Sequence, residues 1–129
     1  MIVVDSAAVV DALTAVAGSE ELRMRLAAEE LHAPTLLDYE VCSALRGMAL
    51  GDQLSAARVQ DALTDFDDLA IERWPSTDPL RRRAFQLRHN VSAYDAAYVV
   101  LAEALRSSVV TRDARLARSV GHDVHIEVV

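Results

Sequence analysis

The sequence of 129 residues contains no lysine, and all 13 of its basic residues are arginines. This absence excludes reactions that need a Schiff-base lysine, a Walker A lysine or a lysine that steadies a transferring phosphoryl group. The 20 acidic residues leave a formal net charge of -7. An acidic protein does not hold nucleic acid through its overall charge, so any such contact has to come from local arginines or metal ions.

Cysteine and long apolar runs are also scarce. Cys42 is the only cysteine, which excludes a disulfide framework and a cysteine-rich metal site. Its apolar helical context predicts a small buried residue. The first segment has no basic leader, and the apolar stretch 96–105 contains Glu103 and is too short to cross a bilayer. The sequence therefore predicts a cytoplasmic protein that does not contact a membrane.

Short β-branched runs alternate with helical segments along the whole chain. The pattern predicts strands at 2–4, 31–33, 70–74, 108–111 and 124–129, with helices over 7–13, 20–30, 35–49, 55–67, 78–88 and 92–105 and a short one after Asp113. The strands are continuous apolar runs, which is typical of buried parallel strands. No repeat or linker divides the chain. We therefore expect one α/β domain over residues 1–129, with a mostly parallel sheet of about five strands covered by helices on both faces.

Four acidic residues are predicted to meet at one edge of this sheet. Asp5 ends the first strand and Asp113 follows the fourth. Glu40 and Asp95 lie in the early turns of helices whose N-termini reach the same edge, where ligands bind in parallel α/β proteins. Glu40 also lies beside the apolar face of its helix, where a bare carboxylate is unfavourable.

Helix capping is the ordinary alternative for the aspartates. Asp5 and Asp113 fit N-caps, and Asp95 fits the reciprocal acid of a capping box with Ser92. Two further acids on the same edge are expected only to cap helices, Asp38 in a box with Thr35 and Asp78 before Pro79.

Four carboxylates at one edge repel one another, and the sequence offers no lysine or histidine cluster to neutralise them. Helix N-termini offset only about 0.3–1 kcal/mol each when they are exposed. A hard divalent cation with oxygen ligands, Mg²⁺ or Mn²⁺, would neutralise the rest. Such a site suits phosphodiester hydrolysis, because the metal orients the phosphate, activates water and stabilises the leaving oxygen.

Other classes of protein fit less well. A HAD-like phosphatase would need an aspartate two residues after Asp5, where Ala7 stands, and a lysine. A receiver-like module would need paired acids near the first strand and a late lysine. An acidic α/β interaction or signalling module, whose carboxylates only cap helices, stays open as the alternative.

Four segments resemble the motifs of the PIN-domain ribonucleases, in order and over essentially the whole chain. Residues 4–8 (VDSAA) resemble the opening motif and residues 37–41 (LDYEV) the helical Glu motif. Residues 92–98 (SAYDAAY) resemble the third-acid motif and residues 111–116 (TRDARL) the fourth. The YDAAYV and VTRD forms are most similar to the VapC-type toxins of bacterial toxin–antitoxin (VapBC) pairs.

The resemblance implies a three-layer α/β/α sandwich and a Mg²⁺-dependent endoribonuclease that cleaves cellular RNA and so arrests growth. It also implies homodimers and inhibition by a cognate VapB-type antitoxin. By motif, the acidic metal site and the catalytic residues are the same four carboxylates: Asp5, Glu40, Asp95 and Asp113. Ser6 and Thr111 would orient carboxylates or water.

Several residues outside the four acids allow two interpretations. Within the basic segment Arg81–Arg83, Arg82 belongs either to a solvated face or to a contact with RNA or a partner. Arg112 contacts a phosphate or pairs with an acid. Tyr94 and Tyr98 are expected to pack, with lining of the site as the alternative.

Overall fold

A computed structural model describes all residues from Met1 to Val129 and contains one sheet of five parallel strands. The strand order is β3-β2-β1-β4-β5, with β1 at Ile2–Val4, β2 at Leu31–Pro34, β3 at Ile71–Trp74, β4 at Ser108–Thr111 and β5 at Ile126–Val128. The predicted five-stranded parallel sheet is confirmed.

Seven helices connect these strands: α1 (Ser6–Thr14), α2 (Glu20–Ala27), α3 (Leu36–Leu50), α4 (Ala56–Asp68), α5 (Asp78–Gln86), α6 (Ala93–Leu105) and α7 (Ala114–Ala117). Helix α1 packs against α2, α3 and α4, whereas α6 packs against α5 and against strands β1, β2 and β4. The chain moves from β1 to β3 in one direction and returns to β4 in the other. Right-handed crossovers therefore place α1–α4 on one face and α5–α6 on the other, which gives the α/β/α sandwich. No helix is long and apolar enough to span a membrane.

The core holds the site-bearing elements rigidly. Val3 and Val4 of β1 and Val109 and Val110 of β4 are completely buried. Helix α6 is buried over most of its circumference, as its apolar sequence predicts. Residues at the ends of these elements are consequently fixed in position by close packing.

The strand order reverses at β1. The first crossover leads to β2 on one side, and β4 pairs with β1 on the other side. The carboxyl ends of β1 and β4 therefore flank a crevice of the kind that binds ligands in parallel α/β proteins. Asp5 directly follows β1, and Thr111 is the last residue of β4.

Two predicted helix caps are wrong. Thr35 has helical backbone angles and its side chain caps nothing, while Asp38 pairs with Arg73 at 3.0 Å. The N-cap of α5 is Thr77, and Asp78 is a helical residue that pairs with Arg82 at 2.8 Å. In both cases an arginine within reach offers the carboxylate a charge-assisted bond.

The prediction of a buried Cys42 is also wrong, because this residue is exposed. Helix α3 buries only Leu37, Val41 and Leu45, which follow one another four residues apart. Cys42 lies about 100° around the helix from Val41, and so it faces away from the core.

Candidate metal centre

Asp5 lies at the carboxyl end of β1, beside β4, and only 7% of its surface is exposed. Its Oδ1 accepts a hydrogen bond from the Ala8 N–H at 2.9 Å, as the N-cap of α1, and its Oδ2 accepts from the Thr111 hydroxyl. Burial raises the pKa of Asp5 to about 6, against the opposing effect of these two hydrogen bonds. This value includes a smaller upward contribution from repulsion by Asp95 and Asp113.

Thr111 connects two of the acidic residues. Its hydroxyl oxygen accepts a hydrogen bond from the Asp113 N–H at 2.9 Å, while its O–H donates to Asp5. The residue is fully buried. Because both bonds are made by one hydroxyl, Thr111 fixes the orientation of the Asp5 carboxylate relative to the start of α7.

Asp113 caps α7 and pairs with Arg115, a contact that the sequence did not predict. Its Oδ1 accepts from the Arg115 N–H at 2.8 Å, and its Oδ2 lies 3.2 Å from Arg115 Nη2. The Arg115 side chain holds the pKa of Asp113 below its ordinary value. A possible signal for this pair was the position of the arginine two residues after a predicted N-cap.

Glu40 is half-buried on α3 and is bound by a tyrosine from the opposite layer. The Tyr98 hydroxyl donates to Glu40 Oε1 at 2.5 Å. Burial and the Glu40 carboxylate raise the pKa of Tyr98, whereas Ser6 acts in the opposite direction. Tyr98 is 2% exposed, so it packs in the core and also lines the site.

Asp95 is half-buried in the first turn of α6. The Ser92 hydroxyl accepts from the Asp95 N–H at 3.2 Å, which is half of the predicted capping box. The Asp95 carboxylate itself accepts no hydrogen bond from another residue, so both of its oxygens remain free for another ligand.

The four predicted acids therefore lie at one edge of the sheet, where Asp95 and Asp113 act on Asp5 electrostatically, and Glu40 and Asp5 both act on Tyr98. The only three residues with ligand atoms all within 4.8 Å of one another lie elsewhere, so the four carboxylates form a wider set. Their ligand atoms are exclusively oxygens. This donor set fits Mg²⁺, which keeps several waters and needs only one or two carboxylates directly.

That other group consists of Glu30, which precedes β2, His32 on β2 and Glu72 on β3. The Trp74 indole N–H donates to His32 Nδ1 at 2.9 Å, and His32 Nε2 lies 2.6 Å from Glu30 Oε1. Since Nδ1 accepts, Nε2 carries the proton and donates to Glu30. Neither ring nitrogen then has a free lone pair for a metal.

Two predicted contact residues are engaged within the chain. Arg112 pairs with Asp11 at 2.9 Å and donates to the Val129 carbonyl, which is the acid-pairing alternative. Arg82 pairs with Asp78, and both side chains are largely exposed.

The PIN domain family model matches residues 2–121. The chain belongs to the PIN-domain family. Among its curated relatives, the VapC ribonuclease Mb0985 of Mycobacterium bovis is 46% identical and is matched over 91% of this chain and 89% of its own length. Ribonuclease VapC1 of Mycobacterium tuberculosis is 43% identical over 98% of this chain and 96% of its own. The family resemblance seen in the motifs is confirmed, and all four of them lie within the matched PIN segment.

Solved structures share the fold of this PIN domain. The crystal structure of PAE2754 from Pyrobaculum aerophilum superposes with a TM-score of 0.71 at 25% identity, over 98% of this chain and 83% of the other. A chain of a toxin–antitoxin complex from Klebsiella pneumoniae superposes with a TM-score of 0.65 at 16% identity, over 91% and 90% of the two chains. At 16% identity, the superposition shows only that the two chains share a fold.

Proposed function

We propose that this chain is a single PIN domain over residues 1–129 and a Mg²⁺-dependent endoribonuclease toxin of the VapC type. The carrying observation is the acidic edge, where Asp5 and Asp113 precede α1 and α7, Glu40 and Asp95 lie in α3 and α6, and only Asp113 has a cationic partner, Arg115. Capping does not account for this set. Asp5 and Asp113 do cap helices, but the carboxylates of Glu40 and Asp95 cap nothing.

The four carboxylates would hold the cation, with Mn²⁺ as a possible substitute for Mg²⁺. When bound, the cation supplies Lewis acidity toward the phosphodiester and a lowered pKa for the attacking water. Thr111 holds one oxygen of Asp5, and Tyr98 holds one oxygen of Glu40, so each carboxylate is pre-oriented. Ser6 lies close enough to the Tyr98 hydroxyl to lower its pKa, and we assign it to the positioning of Tyr98 and Glu40. Arginine is the only residue type that supplies fixed positive charge to RNA phosphates, since lysine is absent.

The proposed partners are supported by the proteins that this chain is similar to. Two of its relatives are named VapC ribonucleases, and one structural neighbour comes from a toxin–antitoxin complex. We propose that a cognate VapB-type antitoxin neutralises this chain by placing an arginine in the acidic edge. We also propose that the toxin acts on RNA in the cytoplasm and forms a homodimer. Co-purification of this chain with the product of the adjacent gene tests the proposed antitoxin partner.

Cleavage of RNA by the purified protein tests the activity. We expect cleavage with Mg²⁺ that falls by more than about 100-fold in Asp5→Asn and in Asp95→Asn, since even loss of an outer partner of a metal ligand costs about 10–100-fold. Asp61→Asn, on the exposed face of α4, is the control for loss of one carboxylate and should cleave like the wild type.

Undiminished cleavage in both site variants would contradict the assignment of the site. A titration of thermal stability with Mg²⁺ and Mn²⁺ separates the enzyme from the interaction module. Stabilisation of the wild type but not of Asp5→Asn supports the metal centre, and the absence of any effect favours the module.

A further inference from the structure

The acidic edge holds one arginine against its own carboxylates. Arg115 lies in α7, two residues after Asp113. Its Nε lies 3.3 Å from Asp113 Oδ1 and its Nη2 lies 3.2 Å from Asp113 Oδ2, so the guanidinium meets the carboxylate with two donors. Asp113 and, to a smaller extent, Asp95 raise the pKa of Arg115. The charge of this arginine is therefore placed between two of the four acidic elements of the candidate site.

No other cation pairs with the acidic edge. Of all the ion pairs in the protein, only the pair of Arg115 with Asp113 includes one of the four carboxylates. Arg112 directly precedes Asp113, but its guanidinium is turned to Asp11 and to the Val129 carbonyl. What distinguishes Arg115 from the other arginines is thus its position at the proposed metal centre.

The Arg115 side chain is free to leave Asp113. It is 83% exposed, and no group other than the Asp113 carboxylate accepts a hydrogen bond from its guanidinium. An exposed ion pair is weak, because water and salt screen it. Another anion that presents two oxygens can therefore replace the carboxylate. A phosphodiester presents two non-bridging oxygens, and the planar fork of an arginine binds phosphates as it binds carboxylates.

Hydrolysis of a phosphodiester needs such a cation. The oxygen of one water adds to phosphorus and one bridging P–O bond breaks. The leaving oxygen takes one proton of that water, and the other proton is released to solvent. Negative charge builds up on the non-bridging oxygens in the transition state, where an arginine stabilises it. No lysine is present to share this task.

We propose that Arg115 is a catalytic residue, whose guanidinium moves from Asp113 to a non-bridging oxygen of the scissile phosphodiester when RNA binds at the loaded metal centre. This inference rests on the proposed function. Without RNA, the pair with Asp113 keeps the guanidinium at the acidic edge. With RNA, the guanidinium stabilises the charge that develops on the phosphate, and both oxygens of Asp113 become available to the cation.

A positioning role for Arg115 predicts a different result. If the arginine only held Asp113 in place for the cation, its loss would weaken Mg²⁺ binding, and a higher Mg²⁺ concentration would restore cleavage. If it contacts the phosphate, its loss slows cleavage at saturating Mg²⁺, while Mg²⁺ binding stays the same or becomes tighter. The two roles are therefore separated by the direction of the change in Mg²⁺ affinity.

Cleavage of an RNA oligonucleotide at saturating Mg²⁺ gives the first readout. We expect Arg115→Ala to lower kcat by about 100-fold, as removal of one group that stabilises transition-state charge does, with KM changed by less than about threefold. Arg115→Lys keeps the charge but loses the planar fork, so its kcat should lie between those of Arg115→Ala and the wild type. Calorimetric titration with Mg²⁺ in the absence of RNA gives the second readout, and Arg115→Ala should bind the ion at least as tightly as the wild type.

Chemical rescue tests the missing group itself. Guanidinium chloride, at concentrations too low to unfold the protein, should restore part of the kcat of Arg115→Ala, whereas an equal concentration of NaCl should not. Arg118→Ala is the matched control, because Arg118 is exposed at the end of the same helix and forms no ion pair. Its kcat should equal that of the wild type, and guanidinium should not increase it.

A wild-type kcat in Arg115→Ala would overturn the proposal. So would a loss of cleavage that is matched by weaker Mg²⁺ binding and is recovered at high Mg²⁺, because Arg115 would then only position Asp113. Failure of the proposed function is a separate result. A wild type that never cleaves RNA with Mg²⁺ contradicts the function as well, whereas a wild type and an Arg115→Ala variant that cleave equally well contradict only the role of Arg115.

Discussion

The Tyr98 hydroxyl donates a 2.5 Å hydrogen bond to Glu40 Oε1 and so joins α6 to α3 across the carboxyl edge of the sheet. Burial, together with the Glu40 carboxylate, raises the pKa of Tyr98. The phenol therefore stays neutral and acts as a donor throughout the physiological pH range. One Glu40 oxygen is fixed by this bond, and Oε2 is left for another ligand.

Tyr98→Phe should lower the rate of RNA cleavage by about 10–100-fold, the usual effect of removing a partner of a metal-binding carboxylate. It should also raise the Mg²⁺ concentration for half-maximal rate, because Glu40 loses its fixed orientation. Both quantities come from one titration of cleavage rate against Mg²⁺.

Tyr39→Phe is the control for this change, since Tyr39 is exposed and its hydroxyl contacts nothing in the protein. It should match the wild type. An unchanged rate and an unchanged Mg²⁺ requirement in Tyr98→Phe would show that the Tyr98–Glu40 bond serves only the packing of the two helices.

The sheet and the acidic edge were predictable because both depend on local patterns. Buried parallel strands are short apolar runs, and a residue that follows such a strand has to lie at its carboxyl edge. Asp5 and Asp113 are placed by this rule alone. The helix N-termini place Glu40 and Asp95 once the alternation of strands and helices is known.

The partners of these residues were less predictable because they come from distant parts of the chain. Asp38 was expected to cap its helix, but Arg73 is brought beside it by the pairing of β2 with β3. The bond from Tyr98 to Glu40 spans 58 positions of sequence and depends on how two layers pack. Periodicity shows that a tyrosine is buried, but it does not show which carboxylate its hydroxyl reaches.

The raised pKa of Asp5 predicts a pH dependence of stability in protein freed of divalent cations. The pKa is about 6 in the folded protein and 3.8 ordinarily, so the folded state binds this proton more tightly than the unfolded chain does. Asp5 therefore favours folding below about pH 4, and this contribution is lost as the pH rises through 6. The loss is about 3 kcal/mol in total.

Asp5→Asn removes this titration. The difference in unfolding free energy between the variant and the wild type, measured with urea in EDTA, should move by about 2 kcal/mol in favour of the variant between pH 4 and pH 7. Excess Mg²⁺ at pH 7 should reduce the difference, since a cation compensates the ionised carboxylate. A difference that is flat with pH would contradict the burial of an ionisable Asp5.

We expect Arg115 to compete with a cation for Asp113. Its Nη2 lies 3.2 Å from Asp113 Oδ2, and the arginine side chain is 83% exposed. Arg115→Ala should lower the half-saturating Mg²⁺ concentration by no more than about fivefold, because an exposed ion pair is weak. Calorimetric titration with Mg²⁺ measures the change directly.

Arg118→Ala is the control for this effect, because Arg118 is exposed at the end of the same helix and forms no ion pair. It should leave the affinity for Mg²⁺ unchanged. Weaker Mg²⁺ binding in Arg115→Ala would mean that the arginine positions Asp113 for the cation instead of competing with it.

Arg112 ties the carboxyl-terminal residue to α1, through Asp11 at 2.9 Å and the Val129 carbonyl. Its side chain is partly buried, so Arg112→Ala should lower the free energy of unfolding by about 1–2 kcal/mol. Cleavage under conditions where the variant is folded should not change, because the guanidinium is already occupied by groups of its own chain.

A double-mutant cycle with Asp11→Ala separates these two effects. If the ion pair is the main role of Arg112, the two substitutions together should destabilise the protein by less than the sum of their separate effects, with a coupling of about 0.5 kcal/mol or more. The opposite result, slower cleavage by a fully stable Arg112→Ala, would identify the guanidinium as a phosphate contact that leaves Asp11 when RNA binds. The two roles are thus decided by measuring stability and cleavage on the same four proteins.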